Sequence, residues 1–408
     1  MNTVTRTTAL PDLTDPAFWA REDSHLILRE LRRRAPLWRL ESAAEGPLWC
    51  VLSYALAGEV LGDAARFSSE RGSLLGTGRD RAPAGAGKMM ALTDPPRHRE
   101  LRNLVLPFFT KRKAAELSGR VADLTRQVVH GALEAAETDF VRDISTAVPL
   151  TVMCDLLGVP DEDRDHVVRM CDRAFLGDTP AERAEAHQQL LPYLFALGLR
   201  RRADPRDDII SSLVTHEVDG RRLPLDEALL NCDNILVGGV QTVRHTSTMA
   251  MLALTRHPDA WQAMREDGYD PELGVEELLR WTSVGLHVLR TARTDTELAG
   301  QRIRAGDRVV VWTPAANRDE AEFEDPGRLR LDRTPNRHLA FGWGPHYCIG
   351  APLARVELAS LFGALAEVAE GVEVLRPPVP NRSLINFGLD SLVVRLHARE
   401  TAGRPRPV

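Results

Sequence analysis

Apolar side chains recur at three- and four-residue spacing over residues 21–36 (REDSHLILRELRRRAP), 110–137 and 181–203, the period of a helix with one buried face. The longest such stretch begins at LPLDEALL, where Asp226 is positioned to cap it. It runs to ALTRHP, where Pro258 stops it. One helix of about thirty residues far exceeds the ordinary length of about 11–12. The spacing therefore predicts a long central helix that crosses the whole core. Beyond it the pattern changes to alternation. HVLRTARTDTELAGQRIRAGDRVVVWT (287–313) reads as short strands with Gly300 and Gly306 in the turns. A loop-rich stretch follows, then a last helix from about Pro352 to Ala369. The chain reads as mainly α with small β-sheets. Length alone permits one large domain or two to three ordinary ones. No internal repeat and no long low-complexity linker divides the chain, so residues 1–408 read as one domain. Residues 1–10 and 399–408 read as flexible tails, the latter polar and proline-rich.

Composition narrows the class. Apolar residues make up 43 % of the chain, enough for a sizeable core. The formal net charge of −6 argues against a nucleic-acid partner. No apolar run reaches the ~18–20 residues of a membrane helix, and MNTVTRTTALPDLTDP lacks an apolar signal core. A cytoplasmic protein is expected. Only Lys88, Lys111 and Lys113 are lysines, so the basic residues are overwhelmingly arginine, a weak pointer to a GC-rich bacterial genome. The cysteines are Cys50, Cys154, Cys171, Cys232 and Cys348. They form no C-x-x-C pair, which argues against a cysteine zinc site, and an odd number in a reducing compartment argues against disulfides. Four are expected to be small buried hydrophobes.

Cys348 differs because of its neighbours. It lies in AFGWGPHYCIGAPLAR (340–355) among Gly342, Gly344 and Gly350. A thiolate can ligate zinc, an iron–sulfur cluster or haem iron, or act as a nucleophile. A cluster needs several nearby cysteines. A nucleophile wants a base, and His346 has no further triad partner in the pattern. Haem iron needs one thiolate and a loop that lies close to the porphyrin, which residues without a Cβ permit. A helix beginning just after Cys348 would point its positive end at the sulfur.

The segment FGWGPHYCIG, from Phe341 to Gly350, resembles the haem-binding loop of the cytochrome P450 superfamily, F-G-x-G-x-H/R-x-C-x-G. Further motifs follow the same resemblance. EELLR supplies Glu277 and Arg280 as the family's E-x-x-R pair, with Arg333 as the downstream arginine of that network. LVGGVQTVRH resembles the oxygen-binding segment and brings Gly238, Gly239, Gln241 and Thr242. Paired glycines would allow a local opening of the helix, and Thr242 can bond back to the Gly238 carbonyl or turn to dioxygen. TDPPRHRELR resembles the helix that contacts the haem propionates, through His98 and Arg102, with Arg290 and His346 as further contacts. One position departs from the pattern: Gln241 stands where the family has an acid, and an amide cannot release a proton.

The resemblance implies the cytochrome P450 fold, a single triangular domain with minor sheets. It implies the soluble bacterial class, haem b held by Cys348 as axial ligand, and O2 as co-substrate. Electrons would come ultimately from NAD(P)H through a separate ferredoxin-type partner. The implied activity is a haem-thiolate monooxygenase that hydroxylates or epoxidises a small organic substrate. A secondary-metabolite intermediate, free or carrier-protein-tethered, is expected. Oxidative coupling, desaturation or ring formation is the alternative, and a non-catalytic haem-binding sensor or recruitment protein a third reading. A monomer is expected. Arg97, Arg99, Lys111, Arg112 and Lys113 are expected to form a basic face for the electron donor. Substrate contacts are expected from residues 68–92, 173–184, 283–289 and 384–392.

Overall fold

The computed structural model describes residues 11–399 apart from 77–82, 84, 177–179, 219 and 382. The expected tail 1–10, residues 400–408 of the expected tail 399–408, and parts of the expected substrate segments 68–92 and 173–184 lie outside the described residues. The architecture is mainly helical, with small sheets at the edge.

The central helix spans Leu225–Arg256 and is about 48 Å long at 1.5 Å per residue. Its N-terminal half buries Leu229, Ile235, Leu236 and Val240 in one apolar cluster with the helices Ala147–Leu157 and Pro180–Ala203. Its C-terminal half buries Met251, Leu252 and Leu254 in a second cluster, with Leu278 and Phe362. One helix thus ties two cores together, and each fully buried aliphatic side chain contributes about 1.5–3 kcal/mol. Asp226 does not cap this helix. Pro224 takes the cap position and Asp226 falls in the first turn, where a carboxylate favours the helix dipole and approaches Lys88 Nζ at 3.3 Å. Proline at that position fixes an extended entry to the helix, which moves the boundary two residues upstream of the expected cap.

The largest sheet has five strands. These are β1 (Leu37–Ser42), β2 (Gly46–Val51), β3 (Phe67–Ser68), β4 (His287–Ala292) and β5 (Arg308–Trp312), in the order β1-β2-β5-β4-β3. Only the β2–β5 pair is parallel. Gly300 and Gly306 adopt left-handed φ values of 72° and 89° in the turns between strands, as the alternating segment requires. Arg290 sits opposite Val309 in the β4–β5 register, so an inner strand of the sheet carries a charged side chain to a fixed place. The last helix, Ala351–Val368, starts directly after the Cys348 loop. Cys50, Cys154, Cys171 and Cys232 are buried, whereas Cys348 is exposed.

Candidate functional site

The Cys348 loop is shaped by backbone bonds. Gly342 N–H donates to Leu339 O at 2.9 Å, Tyr347 N–H to Gly344 O at 3.0 Å, and Cys348 N–H to Phe341 O at 2.8 Å. Gly342 and Gly344 take left-handed φ values of 70° and 71°, which only glycine adopts at little cost. Space forbids anything else at Gly344, where an added Cβ would lie 2.5 Å from Leu61 O. Gly350 caps the following helix, and its Cβ position lies 4.0 Å from Cys348 Sγ. Phe341 does not face the cavity lining. It packs behind the loop, under the Arg355 guanidinium at 4.7 Å and edge-on to Tyr347.

Cys348 is open to a cavity of about 310 Å³ whose walls include Leu61, His98, Arg102, Asn234, Arg290 and His346. The protein surrounding the sulfur raises the thiol pKa. The Gly350 and Ala351 N–H groups and the charges of Arg102 and Arg355 oppose that rise. The loop therefore already carries groups that favour a negative sulfur.

Two arginines and two histidines line the cavity rim. His98 and Arg102 lie four apart on the helix Arg97–Val105, Arg290 comes from β4, and His346 from the loop. The His98 and His346 rings meet with centroids 4.1 Å apart, and His346 Nε2 is 3.1 Å from Ser69 Oγ. Burial pulls His98 down to about 4 and His346 to about 3, so both are neutral imidazoles at neutral pH. Burial also lowers Arg290 to about 10. Its guanidinium donates to its own neighbour's carbonyl, Leu289 O, at 2.9 Å, and no carboxylate pairs with it among the described residues. A buried cation without a counter-ion is costly, and this rim fits the two carboxylates of a haem.

Sequence reasoning passed over Asp94 at this rim. It accepts from Ser68 Oγ, Ser69 N–H and Arg293 Nη2. Burial opposes its ionisation, but these bonds outweigh that and hold its pKa below the ordinary value. Asp94 lies in the quoted segment TDPPRHRELR, but nothing in that string reveals that it folds against Ser68 and Arg293.

Across the cavity, Asn234 of the central helix contributes to the wall. One turn later Gly238 is exposed, with open space where a Cβ would stand. Gly239 serves another purpose: a Cβ there would lie 2.6 Å from Met153 Sδ, so it is a close helix crossing. The helix does not open at these glycines. It continues regularly, and Thr242 Oγ1 donates to Gly238 O at 2.8 Å. The half-buried Gln241 has no hydrogen-bond partner among the described residues.

Away from the cavity, Glu277 and Arg280 are fully buried. Arg280 donates through Nε and Nη2 to the two Glu277 oxygens at 2.7 and 2.8 Å. Arg333 Nε adds a bond at 2.9 Å. The sequence did not point to two more donors, Asn336 Nδ2 at 3.1 Å and the Arg330 N–H at 2.9 Å. Asn317, whose carbonyl accepts from Arg280, offers its side-chain oxygen to Leu339 N–H. The network thus leads directly into the Cys348 loop.

The expected basic face is partly neutralised. Arg97 pairs with Glu227 at 2.9 Å, and Glu116 lies 3.9 and 3.8 Å from Arg112 and Lys113. Glu116 follows the basic run by one helical turn, so the string alone understated the acid. A second charge pair bridges the helix Pro180–Ala203 to the central helix, with His187 Nε2 3.3 Å from Asp233 Oδ1. The bond to Asp233 raises the His187 pKa above 6.5. A raised histidine stabilises fully below its unfolded value and loses that contribution as pH climbs through the folded value. Amide exchange of the 185–190 segment is therefore expected to quicken on raising the pH past about 6.5, after correction for intrinsic exchange, and Asp233→Asn to remove that dependence. An identical pH profile in the variant would rule the pair out as its source.

The family model described as Cytochrome P450 matches residues 145–268 and 273–366. Cytochrome P450 NovI of Streptomyces niveus is 34 % identical over 390 residues, 94 % of this chain and 96 % of that protein. A steroid C26-monooxygenase of Mycolicibacterium smegmatis is 34 % identical over 358 residues, 85 % and 86 % of the two chains. Among solved structures, P450 OxyD, described as involved in the biosynthesis of vancomycin-type antibiotics, superposes with a TM-score of 0.88 at 37 % identity. That match covers 95 % of this chain and 100 % of OxyD. The matches run through both core clusters and the Cys348 loop, and this chain belongs to the cytochrome P450 family, as a haem-dependent monooxygenase that uses O2.

Proposed function

We propose that residues 1–408 form one catalytic domain that binds haem b with Cys348 as axial ligand. In this reading it hydroxylates or epoxidises a secondary-metabolite intermediate. The observation that carries it is the cavity that opens on Cys348, lined by the cations Arg102 and Arg290 and by the neutral imidazoles of His98 and His346. Bound haem supplies the activation of O2, and a thiolate ligand adds electron density that favours O–O cleavage. The chain does the rest. Arg102 and Arg290 pair with the propionates as bidentate donors, and the neutral imidazoles of His98 and His346 donate N–H bonds. Gly238 leaves room beside the reacting centre, and Thr242 holds a proton at Oγ1. Gln241 holds a water in line without titrating. Glu277, Arg280 and Arg333 keep the loop in register.

The assemblies and ligands named for similar enzymes support natural-product chemistry. OxyD is described with vancomycin-type antibiotics, PksS with the bacillaene polyketide synthase, and an EryK structure with erythromycin B. Turnover with NADPH, a surrogate ferredoxin system and 18O2 tests the reading. One labelled oxygen in the product supports monooxygenation. A product lacking label and two hydrogens would indicate desaturation or coupling instead. A panel of polyketide lactones, peptidyl thioesters and steroids, read by the haem spin-state change, selects the substrate class and whether a carrier is needed.

Thr242→Ala should divert NADPH to hydrogen peroxide rather than product. Gln241→Glu should be tolerated, while Gln241→Leu should lower product per NADPH by removing both hydrogen-bonding groups. Equal yields from the wild type and Gln241→Leu would remove Gln241 from proton delivery.

We also infer a cytoplasmic monomer reduced by a ferredoxin-type donor at the Lys111–Lys113 face. No described helix is long and apolar enough to cross a membrane. Arg112→Glu with Lys113→Glu should slow reduction at low ionic strength and have less effect at high salt. Unaltered low-salt reduction would eliminate this face.

A further inference from the structure

A larger cleft, of about 630 Å³, shares no lining residue with the Cys348 cavity. It lies between the helix Ser24–Arg34, the C-terminal end of the central helix, the end of the helix Pro271–Thr282, and the hairpin around 378–391. Trp19, Trp281 and Phe387 contribute to its walls. His257 stands edge-on to Trp281, with centroids 5.3 Å apart. These are flat apolar surfaces of the kind that hold an aromatic ring.

The cleft also holds a cation with little to oppose it. The Arg318 guanidinium lies 4.7 Å from the Trp281 ring centroid, and its Nη2 donates to Trp281 O at 3.0 Å. Its Nε is buried and has no hydrogen-bond partner. Glu277, the acid that acts on it, is already taken by Arg280, Arg333 and Asn336. Burial, with the charge of Arg280 added, lowers Arg318 to about 10. At the mouth Arg256 is exposed and Glu22 is the acid that lines the cleft, while Arg21 is engaged by Asp23. A carboxylate that entered would relieve the Arg318 desolvation, because planar guanidinium and carboxylate groups pair at two points.

We propose that this cleft is a second, non-catalytic binding site for a small aromatic carboxylate. Its carboxylate meets Arg318 and its ring lies among Trp19, Trp281 and Phe387. Met249, Leu252 and Ala253 form part of the lining, so the occupant rests on the helix that bears Thr242. Met249 is seven residues further along it, a rise of about 10 Å.

Calorimetric titration of the haem-loaded protein with 2-naphthoate tests this, with the haem absorption spectrum recorded at each point. One site is expected to fill without a change in the haem spectrum. The methyl ester, which has the ring but no charge, should bind about tenfold more weakly, the ordinary worth of one charge-assisted contact. Arg318→Gln should weaken 2-naphthoate by a similar factor. Because Arg318 is half-buried and packs on Trp281, two variants at the rim accompany it. Ala20→Trp places bulk in the mouth, and Arg256→Glu reverses its charge. Both should weaken binding while the melting midpoint and haem spectrum stay as in the wild type. Equal affinity for acid and ester would overturn the proposal. So would undiminished binding in the rim variants, or binding that shifts the haem spectrum and therefore occupies the Cys348 cavity.

Discussion

Replacing Cys348 with serine is expected to reduce monooxygenase turnover to background while the chain still folds. The sulfur lies at the surface of the cavity and contributes nothing to either apolar core. Serine is close in size and keeps the backbone bond from residue 348 to Phe341 O. What it loses is a soft, electron-rich ligand, since a hydroxyl is far harder to deprotonate than a thiol. The Gly350 and Ala351 N–H groups and the charges of Arg102 and Arg355 favour an anion at this atom, and a neutral hydroxyl leaves them unused. Haem content should fall, and any retained haem should support no substrate oxidation. A Cys348→Ser protein with wild-type turnover would contradict the assignment.

Glu277→Ala is expected to be the most destabilising single change away from the cavity. Four groups donate to this carboxylate, and Arg280 and Arg333 are both buried. Removing one partner of a buried ion pair costs about 3–5 kcal/mol because the remaining charge is left uncompensated. That is a large part of an ordinary stability of about 5–15 kcal/mol. The damage should reach the haem as well, because Arg280 donates to Asn317 O and Asn317 braces Leu339 at the start of the Cys348 loop. A fall in the melting midpoint and a haem-poor preparation are expected. A midpoint within a degree or two of the wild type would show that the network is not needed for folding.

Much of this was legible because local rules and tertiary needs agree. Residues 225–256 carry apolar side chains at helical spacing over their whole length, so the central helix could be read directly, and its length predicted its place in the core. The Cys348 loop was legible for a different reason. Its left-handed glycines and single sulfur leave few alternatives. The cap falls at Pro224 rather than Asp226 because the proline, two positions earlier, fixes an extended chain entry to the helix. At Gly238–Gly239 the two glycines do different things. Gly238 faces open space, whereas Gly239 admits Met153 from another helix, and the string has no sign of Met153. Asp94, Asn336 and Glu116 were missed for the same reason: their importance lies in which charges the fold brings beside them. The Arg318 cleft has no motif at all, because its walls come from segments separated by more than 350 positions (Trp19 to Phe387).

The central claim is that one sulfur, on one loop, defines the chemistry. It is tested most directly by the absorption spectrum of the reduced protein under carbon monoxide. A strongly red-shifted band, the mark of haem iron ligated by a thiolate, is expected in the wild type, and its loss in Cys348→Ser. An unshifted band in the wild type, or a shifted band that survives in Cys348→Ser, would contradict it.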